Sequence, residues 1–172
     1  MSQAEVNETK ANAFAEKMLD VLNSSALALM TSIGHRTGLF DVMSRIPPGN
    51  SKAIADAANL NERYVREWLG AMVTGGIVDY DEEQCTYSLP PEHAAFLTRA
   101  AAPDNLAVTA QYISLLGNVE EDIVECFRKG GGVPYSRFKR FHAIMAEESA
   151  QTAVAALSEQ ILPLVPGLKE KL

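Results

Sequence analysis

Between residues 51 and 89 the chain carries a pattern that few arrangements can satisfy. Two short helix signals, a double glycine and two short β-prone runs follow one another in that order. Asn50 or Ser51 stands where a helix N-cap belongs, ahead of a helix expected over residues 52–58. Asn59, Leu60 and Asn61 then make a tight turn, and Asn61 can cap again. The next segment places Val65, Trp68, Leu69, Met72 and Val73 at the i, i+3, i+4, i+7, i+8 spacing of a helix face turned to a core. Gly75 and Gly76 end it, and the runs 77–80 and 85–89, joined by Asp81, Glu82, Glu83 and Gln84, read as a hairpin. Helix, turn, helix, hairpin is the order of a winged helix.

The flanks are helical. Residues 11–33 read as one long helix, with Phe14, Met18, Val21, Leu22, Leu29 and Ile33 at helical spacing and Leu19, Leu27 and Met30 widening the stripe. A face that broad is expected to be covered from more than one side, which predicts a homodimer. Leu39, Phe40, Val42 and Met43 form a short helix closed by Pro47, Pro48 and Gly49, and a further short helix runs from Pro90 and Pro91 through Leu97. Downstream, residues 103–116 read as one helix with Leu106, Thr109, Ile113 and Leu116 on one side. Asn118 with Glu121 suits the start of another, ending at Phe127. After Gly130, Gly131 and Gly132, Ser136 can cap a helix carrying Phe138, Phe141, His142 and Met145, and a last helix spans 149–162, stopped by Pro163. The fold class is therefore mainly α: a winged helix-turn-helix of three helices and a short hairpin, flanked by long dimerisation and linker helices. Residues 1–35 read as the dimerisation helix, 36–100 as the winged helix and 101–172 as a helical linker and lid.

Composition narrows the function classes. A hydrophobic fraction of 47% and a charged fraction of 22% fit a packed globular chain. No apolar run reaches the roughly 20 residues that span a bilayer, and the polar, acidic start lacks the form of a secretion signal. A cytoplasmic protein is expected. The net charge of −7 disfavours DNA and acidic membranes as partners. Arg63 and Arg66 sit where a recognition helix would touch DNA, yet the wing beside them is acidic, with Asp79, Asp81, Glu82 and Glu83. The two arginines are expected to pair with Glu62 and Glu67. Cys85 and Cys126 read as free thiols, and His35 and His93 have no cysteine at ligand spacing, so no metal site is expected.

Two features carry possible chemistry. Phe138, Phe141, His142 and Met145 fall at i, i+3, i+4 and i+7, with Tyr135 just before them. The same spacing serves ordinary core packing; as a site, it makes an apolar pocket wall with a polar tip, suited to an aromatic or lipophilic acceptor. Gly130, Gly131 and Gly132 lack the strand and the following Lys-Ser or Lys-Thr of a phosphate loop. They read as a helix end and linker or as a hinge beside that wall.

Four segments resemble a known family. They are Asn61 to Val78 (Asn-Glu-Arg-Tyr-Val-Arg-Glu-Trp-Leu-Gly-Ala-Met-Val-Thr-Gly-Gly-Ile-Val), Tyr87 to His93, Gly130 to Ser136, and Phe141 to Ser149. Their content and order resemble class I SAM-dependent methyltransferases with an N-terminal winged helix, the group related to small-molecule O-methyltransferases. The resemblance implies that this stretch mediates dimerisation and covers a substrate pocket, and that a Rossmann-like domain with a glycine-rich SAM loop follows. No segment here reads as that strand, loop and acidic residue. The chain by itself is expected to bind no cofactor, to hold no catalytic residue and to be inactive, with S-adenosylmethionine belonging to the full-length family. A small-molecule acceptor would meet Tyr135, Phe138, Phe141, His142 and Met145. The rival expectation is a winged-helix transcriptional regulator or a stand-alone interaction module.

Overall fold

The computed structural model describes residues 6–154 and 156–168. Residues 1–5, 155 and 169–172, which belong to the expected N-terminal, final-helix and linker segments, lie outside the described residues. Helix α1 (Glu8–Thr37) is longer than its apolar pattern predicts, because Asn7 caps it: the Asn7 side chain accepts from the Lys10 amide at 3.0 Å. Its first two thirds project from the body. Phe14, Met18, Leu19, Val21 and Leu22 are exposed, whereas Ser32, Gly34 and His35 near the other end are buried.

The core lies where α1 meets α2 (Leu39–Met43), α3 (Ser51–Ala58) and α4 (Glu62–Thr74). Asn50 and Asn61 supply the expected caps, accepting from the Ala53 and Arg63 amides. Val65, Trp68, Leu69 and Met72 turn inward from α4 as their spacing requires. They meet Leu39, Phe40, Met43, Ile54, Ala55, Val78 and Leu89. The Phe40 and Trp68 rings pack edge to face with centroids 5.2 Å apart. The wing pairs β1 (Asp79–Asp81) with β2 (Thr86–Ser88) antiparallel, Tyr80 opposite Tyr87. Gly49 and Tyr87 exchange backbone hydrogen bonds of 3.1 and 2.8 Å, which ties the wing to the loop before α3. Helix α5 (Pro91–Leu97) follows the wing.

Beyond α5 the arrangement departs from the expected one. Residues 102–110 run as turns, and helix α6 covers only Gln111–Gly117. Pro103 biases Ala102 away from helical geometry, and the buried Asn105 side chain accepts from the Ala107 amide, a local bond that competes with a helix. The inward residues are Ala107, Val108, Gln111 and Leu115, while Leu106, Thr109, Ile113 and Leu116 face outward. Helix α7 (Glu120–Lys129) starts after Val119 without a side-chain cap, so Asn118 does not serve as one. Glu120, Glu121 and Asp122 in its first turn oppose the positive end of the helix dipole instead. Ser136 is no cap either: it lies in a 3₁₀ turn, Tyr135–Arg137, and α8 (Phe141–Ser149) begins after Arg140, whose φ is +71°. The expected last helix opens into π-helical turns at Ala150–Val154 and Leu157–Ile161, and Pro163 sits within a 3₁₀ turn, Leu162–Leu164. Among the described residues no helix is long and apolar enough to cross a membrane.

Candidate functional site

Four of the five predicted wall residues, Tyr135, Phe138, Phe141 and His142, come together, though on two elements rather than one helix face, and Met145 lies one turn further along α8. Phe138 precedes α8, so it shares no helix with Phe141. Ring contacts join them instead: Tyr135 lies 6.4 Å from Phe138 and 5.7 Å from Phe141, and Phe141 lies 5.5 Å from His142. Tyr135, His142 and Met145 are exposed, and Phe138 and Phe141 half-buried. The inward position of α8 is Ile144. The cluster is thus an outward-facing aromatic patch with an imidazole at its edge, able to stack on a planar apolar molecule. Gly130 and Gly131 have φ of +72° and +93°, a region that glycine enters freely, and Arg137 bridges back to Asp122 through two bonds of 2.9 and 3.0 Å.

A second cluster has no signature in the sequence. His35, at the end of α1, is buried, and its Nε2 lies 2.9 Å from Glu147 Oε1 on α8. Arg99 donates to the same oxygen at 3.2 Å and to Asp41 of α2 at 2.6 Å. Gln111 of α6 donates to Glu147 Oε2 at 2.9 Å, while its own carbonyl oxygen accepts from Arg140 at 2.8 Å. Beside it, Tyr112 and Thr109 donate to Glu148 at 2.8 and 3.3 Å. With Nε2 facing a carboxylate, the favoured tautomer donates from Nε2, and Nδ1 is left as a bare, buried acceptor with no partner among the described residues. His35 and Glu147 are 112 residues apart, so no spacing rule could have joined them. His93 is separately satisfied, its Nδ1 2.9 Å from the Ile77 carbonyl oxygen.

This cluster makes stability depend on pH. Burial, and then the charge of Arg99, hold the His35 pKa below its usual 6.5 against the opposing pull of Glu147 and Asp41. For Glu147, burial pushes the carboxyl up, but hydrogen bonds from Gln111 and His35 and the charges of His35 and Arg99 outweigh it and leave the pKa below 4.5. A depressed histidine takes up its proton more readily in the unfolded chain, so stability falls as pH drops below about 6.5. The Glu147 contribution, present above its unfolded pKa, is lost as pH falls through the folded one. Urea midpoints are therefore expected to decline from pH 7.5 to 5.5 and again below pH 4.5. His35→Gln is expected to remove most of the first decline, and an equal slope in that variant would contradict the assignment.

The remaining candidates sort by geometry. Arg66 approaches Glu62 at 3.9 Å, a weak exposed pair, and Glu62 also accepts from Ser51. Asp79, Asp81, Glu82 and Glu83 are exposed on the wing. Cys85 and Cys126 are free thiols. No three His, Cys, Asp or Glu side chains gather as a metal site among the described residues. These residues also do not fit SAM. Gly130 follows the C-terminus of α7, where carbonyl oxygens repel a carboxylate, and the one sheet among the described residues is a two-stranded antiparallel hairpin rather than a parallel one.

Residues 25–99 match the family model described as the Rv2258c-like winged HTH domain. That part of the chain folds as a winged helix-turn-helix, and the match begins inside α1, whose second half packs on the core. No curated protein matches the chain. Among solved structures it is similar to the mitomycin 7-O-methyltransferase MmcR, at 16% identity and a TM-score of 0.63, covering 87% of this chain and 48% of that one. It is also similar to human N-acetylserotonin methyltransferase in complex with SAM, at 15% identity and a TM-score of 0.60, covering 97% of this chain and 51% of that one. A third is the N,N-8-amino-8-demethyl-D-riboflavin dimethyltransferase RosA from Streptomyces davawensis, at 16% identity and a TM-score of 0.62, covering 83% and 45%. At such identities the likeness establishes the fold. The chain spans about half the length of these structures.

Proposed function

We propose that this chain is the substrate-capping and dimerising part of a SAM-dependent methyltransferase. The observation that carries the reading is the extent of the likeness: nearly all of this chain, and about half of the solved enzymes, share one fold. In such a reaction SAM supplies an electrophilic methyl group on sulfonium, and it would be held by residues outside this chain. What this chain contributes is enclosure and alignment, which govern an in-line displacement. Tyr135, Phe138, Phe141 and Met145 offer an apolar wall for a planar acceptor, and His142 at its edge can hydrogen-bond a polar substituent. Gly130 to Gly132 act as the hinge of that wall. The exposed stripe of α1, from Phe14 through Leu22 to Leu29 and Ile33, is the surface for a second copy.

Light scattering is expected to give twice the chain mass at micromolar concentration. Leu29→Glu, which places a carboxylate in the apolar seam, is expected to return the single-chain mass or to aggregate. Calorimetry is expected to find no saturable SAM binding in the micromolar range. A well-folded wild-type monomer would count against the dimer. Binding to duplex DNA at physiological salt, abolished by Arg63→Ala with Arg66→Ala, would replace this reading with that of a regulator.

A further inference from the structure

We propose that Glu147 latches α8 onto the winged-helix body, and that α8 swings between docked and released positions with His35 and Arg99 as the catch. The geometry of α8 motivates this. Of its nine residues only Ile144 is fully buried. The rest of its inward face is half-buried: Phe141, whose ring meets Tyr135, and Glu147 and Glu148, which accept hydrogen bonds from side chains of four surrounding segments, namely α1, the turn at Arg99, the turn segment at Thr109, and α6. A helix docked through polar contacts exchanges them for water on leaving, so each contributes little net. Elements with few buried apolar contacts open first.

Two further features favour release as a unit. The connection to α7 contains three glycines, and an added Cβ at any of them would meet nothing within 4 Å, so no side chain is packed against the joint there. The docked state also leaves His35 Nδ1 buried without a partner among the described residues, a cost of holding that ring under cover. The charged and titratable groups facing Glu147 are His35 from α1 and Arg99 from the turn, with Asp41 of α2 paired to Arg99 and Arg140 reaching it through Gln111. Because α8 carries Phe141, His142 and Met145, Glu147 is a positioning residue: it fixes which face of α8 is presented. That consequence for acceptor access rests on the proposed function; the latch itself rests on the contacts alone.

Amide hydrogen exchange on the whole chain tests the latch. In the wild type, α8 is expected to exchange faster than α3 and α4. Glu147→Gln is expected to speed α8 exchange tenfold or more while leaving α3 and α4 unchanged. If Glu147→Gln fails to fold, Gln111→Ala decides: selective acceleration of α8 supports the latch, and unchanged α8 exchange overturns it. Exchange of α8 in step with α4 in both wild type and Glu147→Gln also overturns it. A monomer with selective α8 release would keep the latch and remove the proposed function; a dimer with no selective release would do the reverse.

Discussion

Trp68→Ala is expected to destabilise the fold by about 3–5 kcal/mol, the largest single-residue effect in the chain. Trp68 is 4% exposed, at the centre of the face that α4 turns to the core. Its ring meets Phe40 edge to face, and its Nε1 donates to the Met30 carbonyl oxygen at 2.9 Å, so one side chain pins α4 to both α1 and α2. Truncation removes that hydrogen bond and opens a void next to an apolar slot of about 200 Å³ between Ile33, Leu39, Leu60, Tyr64 and Val65. The surrounding helices can close such a void only in part, which places the loss in the upper half of the usual range for large-to-small changes. Urea denaturation with an unchanged slope would measure it directly. A loss below about 1 kcal/mol would show that the α1–α4 contact is not the keystone described here.

Gly34 makes the opposite test of the same contact. A Cβ built there would lie 2.5 Å from Trp68 Cζ2 and 2.7 Å from Phe40 Cε2. Both neighbours are ring atoms of a locked pair, so neither can retreat without moving a helix. Helix propensity alone favours alanine over glycine by about 1 kcal/mol, whereas overpacking a close contact costs about 1–3 kcal/mol or more. Gly34→Ala is expected to be net destabilising and Gly34→Leu to lose about 3 kcal/mol or more. Gly70 is the control. It lies on the exposed side of α4 with nothing within 4 Å of an added Cβ, so Gly70→Ala is expected to gain up to about 1 kcal/mol. If both alanine variants changed stability in the same direction, α1 would be free to shift, and the close approach at Gly34 would not be essential.

The two clusters near α8 differ in how far the sequence reveals them. Tyr135, Phe138, Phe141 and His142 are legible because aromatic residues within a few positions of one another meet whether the backbone is helical or turned. Their expected shared helix face was wrong in detail, since α8 is preceded by Arg140 at positive φ rather than by Ser136 and starts four residues late, yet the rings still touch. His35, Asp41, Arg99, Gln111 and Glu147 show no comparable signal. Each is an ordinary polar residue locally, and their meeting depends on where α1 ends and how the turns at 102–110 place α6 beneath α8. Those turns are the segment where apolar spacing misled, because it ran one helix over 103–116 although Pro103 and the local bond of Asn105 to Ala107 hold the chain in turns.

The sequence alone determined the winged helix from Asn50 to Leu89. There the periodicity, the two asparagine caps and the double glycine all act over a few residues, and local geometry leaves one outcome. It likewise set the apolar face of α1, because a stripe at helical spacing needs no partner to define it. Tertiary structure decided which part of α1 is core and which is bare, where α6, α7 and α8 begin, and which polar groups share the space around His35. Those outcomes depend on desolvation and on contacts between residues as many as 112 positions apart, and such energies exist only once the helices have packed.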